Sequence, residues 1–163
     1  MPALSKRILL QPANSADALA IAELSRDLIE TGLGWSWTQA RVMHQIQDPE
    51  TLVLTARCRG IVIGFNIMNF GQETAHLSLF AVRGDWQRRG IGRRMFEWSR
   101  ASAMTAGIAM IRLELRADNR EACAFYRALG FEETGWVAGY YSGRETALRM
   151  RLDLRRAVQR SRT

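Results

Sequence analysis

Residues 77–94 constrain the fold most: an apolar run, 77–82, enters a polar turn with two glycines, and a long helical pattern follows. Gly90 and Gly92 flank Ile91, and without a Cβ at either position the main chain can pass close to a ligand. The first N–H groups of the following helix lack partners within the helix and carry the positive end of its dipole, so they suit a phosphate. Gln87, Arg88 and Arg89 add donors and charge to the same turn. The stretch reads either as a phosphate cradle or as an ordinary strand-to-helix turn with surface arginines. The third glycine of a dinucleotide fingerprint is missing, since Arg94 and Met95 follow, and no Gly-Lys-Ser/Thr marks a Walker loop.

The rest of the chain supplies a sheet around this unit. A short apolar run at 8–10 predicts a first strand, and Asn14 or Ser15 caps a helix with Ala18, Ile21, Leu24 and Leu28 on one face. Gly32-Leu33-Gly34 ends that helix. A second helix follows Trp35-Ser36-Trp37, with Ser36 and Gln39 in capping-box spacing and Asp48-Pro49 as its stop. From Thr51 the period changes to two. Three strands, near 51–58, 61–70 and 76–82, read as an antiparallel meander. Beyond the glycine turn, Ile91, Met95, Trp98 and Ser102 mark a helix ending near Gly107, and 110–116 alternates as a strand with Arg112, Glu114 and Arg116 on one side. That strand–helix–strand unit predicts a parallel crossover. Asp118-Asn119 caps a helix bearing Ala122, Phe125, Tyr126 and Leu129, and Gly130 ends it at C′ with Phe131 for the hydrophobic contact. Two strands close the chain, near 131–137 and 146–154, separated by Ser142-Gly143; the last is expected at a sheet edge, where it would pair with a second copy as a homodimer. The fold class is therefore α/β: a mixed, mostly antiparallel sheet with a central parallel βαβ crossover and flanking helices.

Composition excludes several classes. A chain of 163 residues suits a single domain spanning 1–163, with a basic tail at 155–163 expected to fray. No run approaches 18 apolar residues, so no membrane partner is expected, and the start of the chain lacks a signal-peptide pattern; the expectation is a cytoplasmic protein. Cys58, Cys123, His44 and His76 lack ligand spacing, so no metal is expected. The formal charge of +7 suits a polyphosphate ligand or an acidic partner. No nucleic-acid motif accompanies it, and a non-catalytic acyl-CoA-binding or nucleic-acid-binding module ranks last.

Gln87-Arg88-Arg89-Gly90-Ile91-Gly92 resembles the Gln/Arg-x-x-Gly-x-Gly/Ala loop of the GNAT acetyltransferase family. A second motif agrees: Leu113-Glu114-Leu115-Arg116-Ala117-Asp118-Asn119, Ala122, Phe125-Tyr126 and Leu129-Gly130-Phe131 resemble the signature of its protein N-terminal acetyltransferases of the RimI type. Tyr140-Tyr141 and Gly143-Arg144-Glu145 are similar to a segment near the C-terminus of that type, and the element order is similar over nearly the whole chain. Two departures stand out: Gly84 replaces a common proline, and the first fifty residues match poorly.

The resemblance implies an acetyl-CoA-dependent N-acetyltransferase, with acetyl-CoA as cosubstrate attacked directly by an amine in a ternary complex. The acceptor implied is a protein or peptide N-terminus; a small amine such as a polyamine, amino acid or antibiotic is the alternative. By resemblance, acetyl-CoA would meet Gln87, Arg88, Arg89, Gly90, Ile91, Gly92 and Arg93 with its pyrophosphate, and Phe80, Ala81, Val82, Asn119, Ala122 and Tyr126 along its length. Glu114 matches the general base and Tyr126 the residue that hands a proton to the departing thiolate. Each has a plainer reading: Glu114 as an ion-pair partner of its neighbouring arginines, Tyr126 as a core aromatic, Asn119 as a helix cap. His76 is a second candidate base or relay, and Trp35, Trp37, Tyr140 and Tyr141 are candidates for the acceptor site.

Overall fold

The computed structural model describes residues 7–141 and 143–156. The N-terminal six residues, Ser142 and most of the basic tail lie outside them. Seven strands hydrogen-bond in the order β1-β2-β3-β4-β5-β7-β6. They are β1 (Ile8–Pro12), β2 (Thr51–Cys58), β3 (Ile61–Phe70), β4 (Thr74–Val82), β5 (Met110–Arg116), β6 (Glu132–Tyr141) and β7 (Glu145–Asp153). Four α-helices accompany them, α1 (Ala18–Leu28), α2 (Gln39–Gln47), α3 (Ile91–Thr105) and α4 (Arg120–Ala128), with 3-10 turns at Ser15–Asp17 and Gly84–Trp86. Among the described residues one pairing is parallel, β4 with β5, so the mixed sheet with a βαβ crossover is as the alternation pattern predicts. The chain divides into two compact units, one of residues 1–68 and 79–101, the other of 69–78 and 102–163.

In the first unit, Ala18, Ile21, Ala22 and Val42 from the helices pack with Val53, Phe65, Ile67 and Leu79 from the strands. The α1 stripe differs from the predicted one, since Leu28 is exposed and Ser25 is buried in its place. Ser25 tolerates burial because its hydroxyl donates to Glu30 Oε2 (3.3 Å). Glu30 also draws in the loop ahead of α2, accepting from the main-chain N–H of Ser36 (2.8 Å) and from the Ser36 hydroxyl. Ser36 is therefore occupied, and the helix is capped instead by Thr38, whose side chain accepts from the Arg41 N–H. The predicted capping box at Ser36 and Gln39 is corrected on this ground. On α3 the buried stripe is Ile91, Met95, Phe96, Ser99 and Ala103, whereas Trp98 is half-exposed.

In the second unit, β5 alternates as predicted: Ile111, Leu113 and Leu115 are buried, while Arg112, Glu114 and Arg116 face the other way. The closing strand does not lie at an edge. β7 pairs antiparallel with both β5 and β6, and β6 takes the outer position. A hairpin can present either of its strands to the sheet, and local sequence does not distinguish them. The apolar alternation of Ala147, Leu148, Met150 and Leu152, all buried, belongs to an inserted strand. Helix α4 ends in a Schellman motif, with Phe131 N–H bonded to Tyr126 O (3.0 Å) and Gly130 N–H to Arg127 O (3.0 Å). Gly130 takes φ +104°, and a Cβ there would approach Leu152 Cδ1 at 3.2 Å.

Gly130→Ala is expected to destabilise the protein by roughly 1–2 kcal/mol, the cost of a left-handed conformation on a residue with a Cβ, read as a lower midpoint in urea at unchanged slope.

Candidate active site

The site residues fall into two groups, one in each unit. In the first unit the β4-to-α3 connection takes the shape of an anion cradle. Arg88 adopts φ +61° and Gly90 φ +79°. Gln87 before them is extended, so the left-handed residues sit in a turn, a conformation that can aim main-chain N–H groups toward one side. The first bond of α3 runs from Arg94 N–H to Gly90 O (3.1 Å), so the N–H groups of Ile91, Gly92 and Arg93 precede the intrahelical ladder. The Ile91 side chain is buried with Met95, Leu54 and Ile63, which anchors the helix start. Gln87 turns inward: its side-chain amide donates to Val82 O (2.9 Å), tying the loop to the end of β4. Arg89 lies 4.9 Å over the Trp86 ring. Gly64 on β3 lets the end of β4 approach, since a Cβ there would stand 3.0 Å from Ala81 O.

Trp35 and Trp37 also belong to this unit. The indole N–H of Trp35 donates to Ala22 O (3.3 Å), Trp37 packs on the core cluster around Ile21 and Phe65, and Arg41 covers the Trp37 ring at 3.7 Å.

The second unit brings His76, Glu114, Tyr140 and Tyr141 together. Parallel pairing sets His76 beside Arg112, and the side chain reaches along the same face to Glu114, with Nε2 at 2.5 Å from Oε2. The other ring nitrogen lies 2.9 Å from the Ser78 hydroxyl, which in turn donates to Asn69 Oδ1 (2.5 Å). Hydrogen bonding to His76 holds the Glu114 carboxyl below the usual carboxylate range; partial burial opposes this, and the charges of His76, Arg149 and Arg112 reinforce it. An ionised carboxylate only accepts, so the proton of the contact resides on Nε2. Arg149, directly opposite Glu114 on β7, places its Nε 3.6 Å from Oε1.

The two sequence candidates for the base are thus one hydrogen-bonded pair. The neighbouring-arginine alternative is part of the picture as well, but the arginine in contact is Arg149 rather than Arg116, which instead pairs with Glu145 (3.3 Å). Ser78, Asn69 and Arg149 escaped sequence reasoning. Alternation places Ser78 on the His76 face, but only strand register brings Arg149 to Glu114. Burial, and then the charge of Glu114, push the Tyr140 phenol up; burial and its neighbours Tyr140 and Glu114 do the same to Tyr141. The two rings meet edge-on with centroids 4.9 Å apart.

Tyr126 is buried on α4, edge-on to Phe125 at 5.3 Å and Phe131 at 5.5 Å. Burial pushes its phenol well above the ordinary value, and Tyr141 adds to the effect. Asn119 caps α4, its side chain accepting from the Ala122 N–H (3.1 Å). Cys123 is buried, and burial pushes its thiol up, the opposite of what a nucleophilic cysteine requires. A cleft of about 460 Å³ opens beside Glu114 between β5, β7 and β6. Among the described residues no group of three or more His, Cys, Asp or Glu is placed to hold a metal, and no described helix is long and apolar enough to cross a membrane.

The mixed sheet with its βαβ crossover sets the class of fold, and the sequence comparisons give it its family. Residues 21–131 match the acetyltransferase (GNAT) family, and the chain belongs to it. The [ribosomal protein bS18]-alanine N-acetyltransferase of Escherichia coli (strain K12) is 37% identical over 98 residues, covering 58% of this chain and 66% of that one. This chain thus spans just under two thirds of the length of the first such relatives. The N-alpha-acetyltransferase RimI of Mycobacterium tuberculosis (strain H37Rv) is 31% identical over 131 residues, 77% of this chain and 79% of that one. The crystal structure of the ribosomal-protein-S18-alanine N-acetyltransferase from Escherichia coli aligns with a TM-score of 0.77 at 27% identity, over 91% of this chain and 94% of that one. The PaiA N-acetyltransferase from Thermoplasma acidophilum, solved in complex with coenzyme A, shares the fold with a TM-score of 0.76 at 16% identity, over 90% of this chain and 99% of that one.

Removing the imidazole tests the pair. In His76→Asn the Glu114 carboxyl should titrate higher, observed by carbon NMR of labelled glutamate. The folded pKa lies below the unfolded value of about 4.3, so the pair contributes its full stability above that value and loses it as pH falls through the folded pKa. Acid unfolding should therefore begin at higher pH in the variant.

Proposed function

We propose that the protein is an acetyl-CoA-dependent N-acetyltransferase acting on the α-amine of a protein or peptide N-terminus. The observation that carries this reading is the carboxylate of Glu114, kept ionised by His76 at 2.5 Å. A carboxylate with a lowered pKa is a weak base and cannot strip a fully protonated amine efficiently. An α-amine, with a pKa of about 7.7–8.0, is already neutral in roughly a third of molecules near pH 7.5, whereas a lysine-type amine at about 10.4 is neutral in roughly one in a thousand. Glu114 suits the first acceptor and not the second. The relatives named as N-terminal acetyltransferases support the same choice.

When bound, acetyl-CoA supplies an activated acetyl thioester. On this reading the N–H groups at the start of α3 and the turned backbone of Arg88 and Gly90 hold its diphosphate, with Arg88, Arg89 and Arg93 adding charge. The main chain of Phe80 to Val82 lies alongside its pantetheine arm, and Asn119 and Ala122 at the start of α4 complete the cosubstrate contacts. Glu114 receives the proton the amine sheds on attack, with His76 and Arg149 holding the carboxylate in place. Tyr126 donates a proton to the departing thiolate. Its raised pKa keeps it protonated throughout the working range and makes it a poor acid in bulk terms, so it acts only through a hydrogen bond made to the sulfur. Tyr140 and Tyr141 flank Glu114 where the acceptor arrives. Trp35 and Trp37 are further acceptor-site candidates in the first unit, Trp35 bonded to Ala22 O and Trp37 held through its main-chain N–H by Glu30.

Three measurements test this. Tyr126→Phe should lower kcat by about a hundredfold with the acetyl-CoA Kd changed less than threefold; unchanged turnover would remove Tyr126 as the proton donor. With a peptide acceptor, kcat/KM should rise with pH through the amine's own pKa, about 7.7–8.0, and show no inflection from Glu114 above pH 5. A peptide series with blocked N-termini and free lysines should be inert.

A further inference from the structure

The cleft beside Glu114 carries more positive charge than proton transfer requires. Three arginines, Arg112, Arg149 and Arg151, line it against the single carboxylate of Glu114. Antiparallel register sets Arg112 opposite Arg151 and Glu114 opposite Arg149, so all four project from one face of the β5–β7 pair. Arg149 is matched by Glu114 at 3.6 Å. Among the described residues neither Arg112 nor Arg151 has a carboxylate within salt-bridge distance, although the two sit directly across from each other; Glu132, opposite Arg151 on β6, pairs with Arg156 at 3.8 Å instead. Like charges at opposed positions destabilise a sheet, and an anion lying between them would reverse the sign of that contribution. Trp136 on β6, 63% exposed, adds an apolar wall to the same cleft.

We propose that this cleft selects acceptor N-termini carrying aspartate or glutamate at the second or third position, a selectivity that rests on the peptide-acceptor reading above. The spacing fits. Arg112 and Arg151 lie two residues along their strands from Glu114 and Arg149, roughly 7 Å at about 3.3 Å per residue. An extended peptide has the same rise, so a side-chain carboxylate one or two residues beyond the reacting amine reaches the arginine pair. The α-carboxylate of a free amino acid stays too close to its own amine to span that distance, and polyamines or lysine-rich termini meet three like charges.

The test compares peptides of equal length that differ only in glutamate, glutamine or lysine at position two or three, with acetyl-CoA saturating. The glutamate peptides should show kcat/KM about tenfold above the lysine peptides, with the ratio shrinking as salt is raised. Arg151→Glu and Arg112→Glu should abolish or invert the ratio, whereas Arg59→Asp, a charge change at the β2–β3 turn, should preserve it. Peptide affinity is measured in parallel by calorimetry without acetyl-CoA, so the result does not depend on turnover. Equal affinity and equal kcat/KM across the set, or a preference that survives both charge reversals, would overturn the inference and leave the transferase reading standing. Selective binding of acidic peptides with no acetylation of any peptide would uphold the cleft's selectivity and sink the peptide-transferase reading.

Discussion

The cluster around Glu114 in the second unit depends on one short parallel pairing. Three registered residues, Thr74 with Met110, Ala75 with Ile111 and His76 with Arg112, decide which β5 side chain the imidazole meets. A one-residue slip would turn Glu114 to the apolar face and His76 toward Leu113. Because Ile111, Leu113 and Leu115 are buried on that face, the slip would bury a carboxylate and expose three aliphatic side chains. Hydrophobic burial thus enforces a register whose chemical consequence is a hydrogen bond on the opposite side of the strand.

From that bond the electrostatics follow in sequence. His76 holds Glu114 ionised, Arg149 closes on its second oxygen, and the ionised carboxylate helps to keep Tyr140 and Tyr141 protonated. Tyr126 owes its raised pKa chiefly to burial, and its position to the Schellman turn at Gly130 and the ring of Phe131. A carboxylate tuned down and phenols tuned up are groups whose surroundings push their pKa values apart.

The β4-to-α3 turn of the first unit is built by different means. Its donors are main-chain N–H groups, presented by the left-handed Arg88 and Gly90 and by the unladdered start of α3. Buried Ile91 and the Gln87 bond to Val82 O hold that backbone in position. Side-chain chemistry is secondary here, which is why the glycine spacing was so readable.

Features that depend on local chain chemistry were legible in the sequence: the Gly-x-Gly turn after a strand, the alternation of 110–116, the Asn119 cap and the Gly130 stop. Each follows from sterics or hydrogen bonds spanning a few residues, and each recurs in the structure at or within a residue or two of its expected place. What only the tertiary structure decided were the pairings across distance. The sequence named Glu114 and His76 as rival bases, yet strand register made them partners; it put β7 at an edge, yet the sheet took β7 inside and brought Arg149 and Arg151 to the cleft. It assigned Ser36 to a helix cap, yet Glu30 claimed that residue. In each case the deciding energy is burial or hydrogen bonding between segments far apart in the chain, and no local pattern encodes which strand or carboxylate arrives.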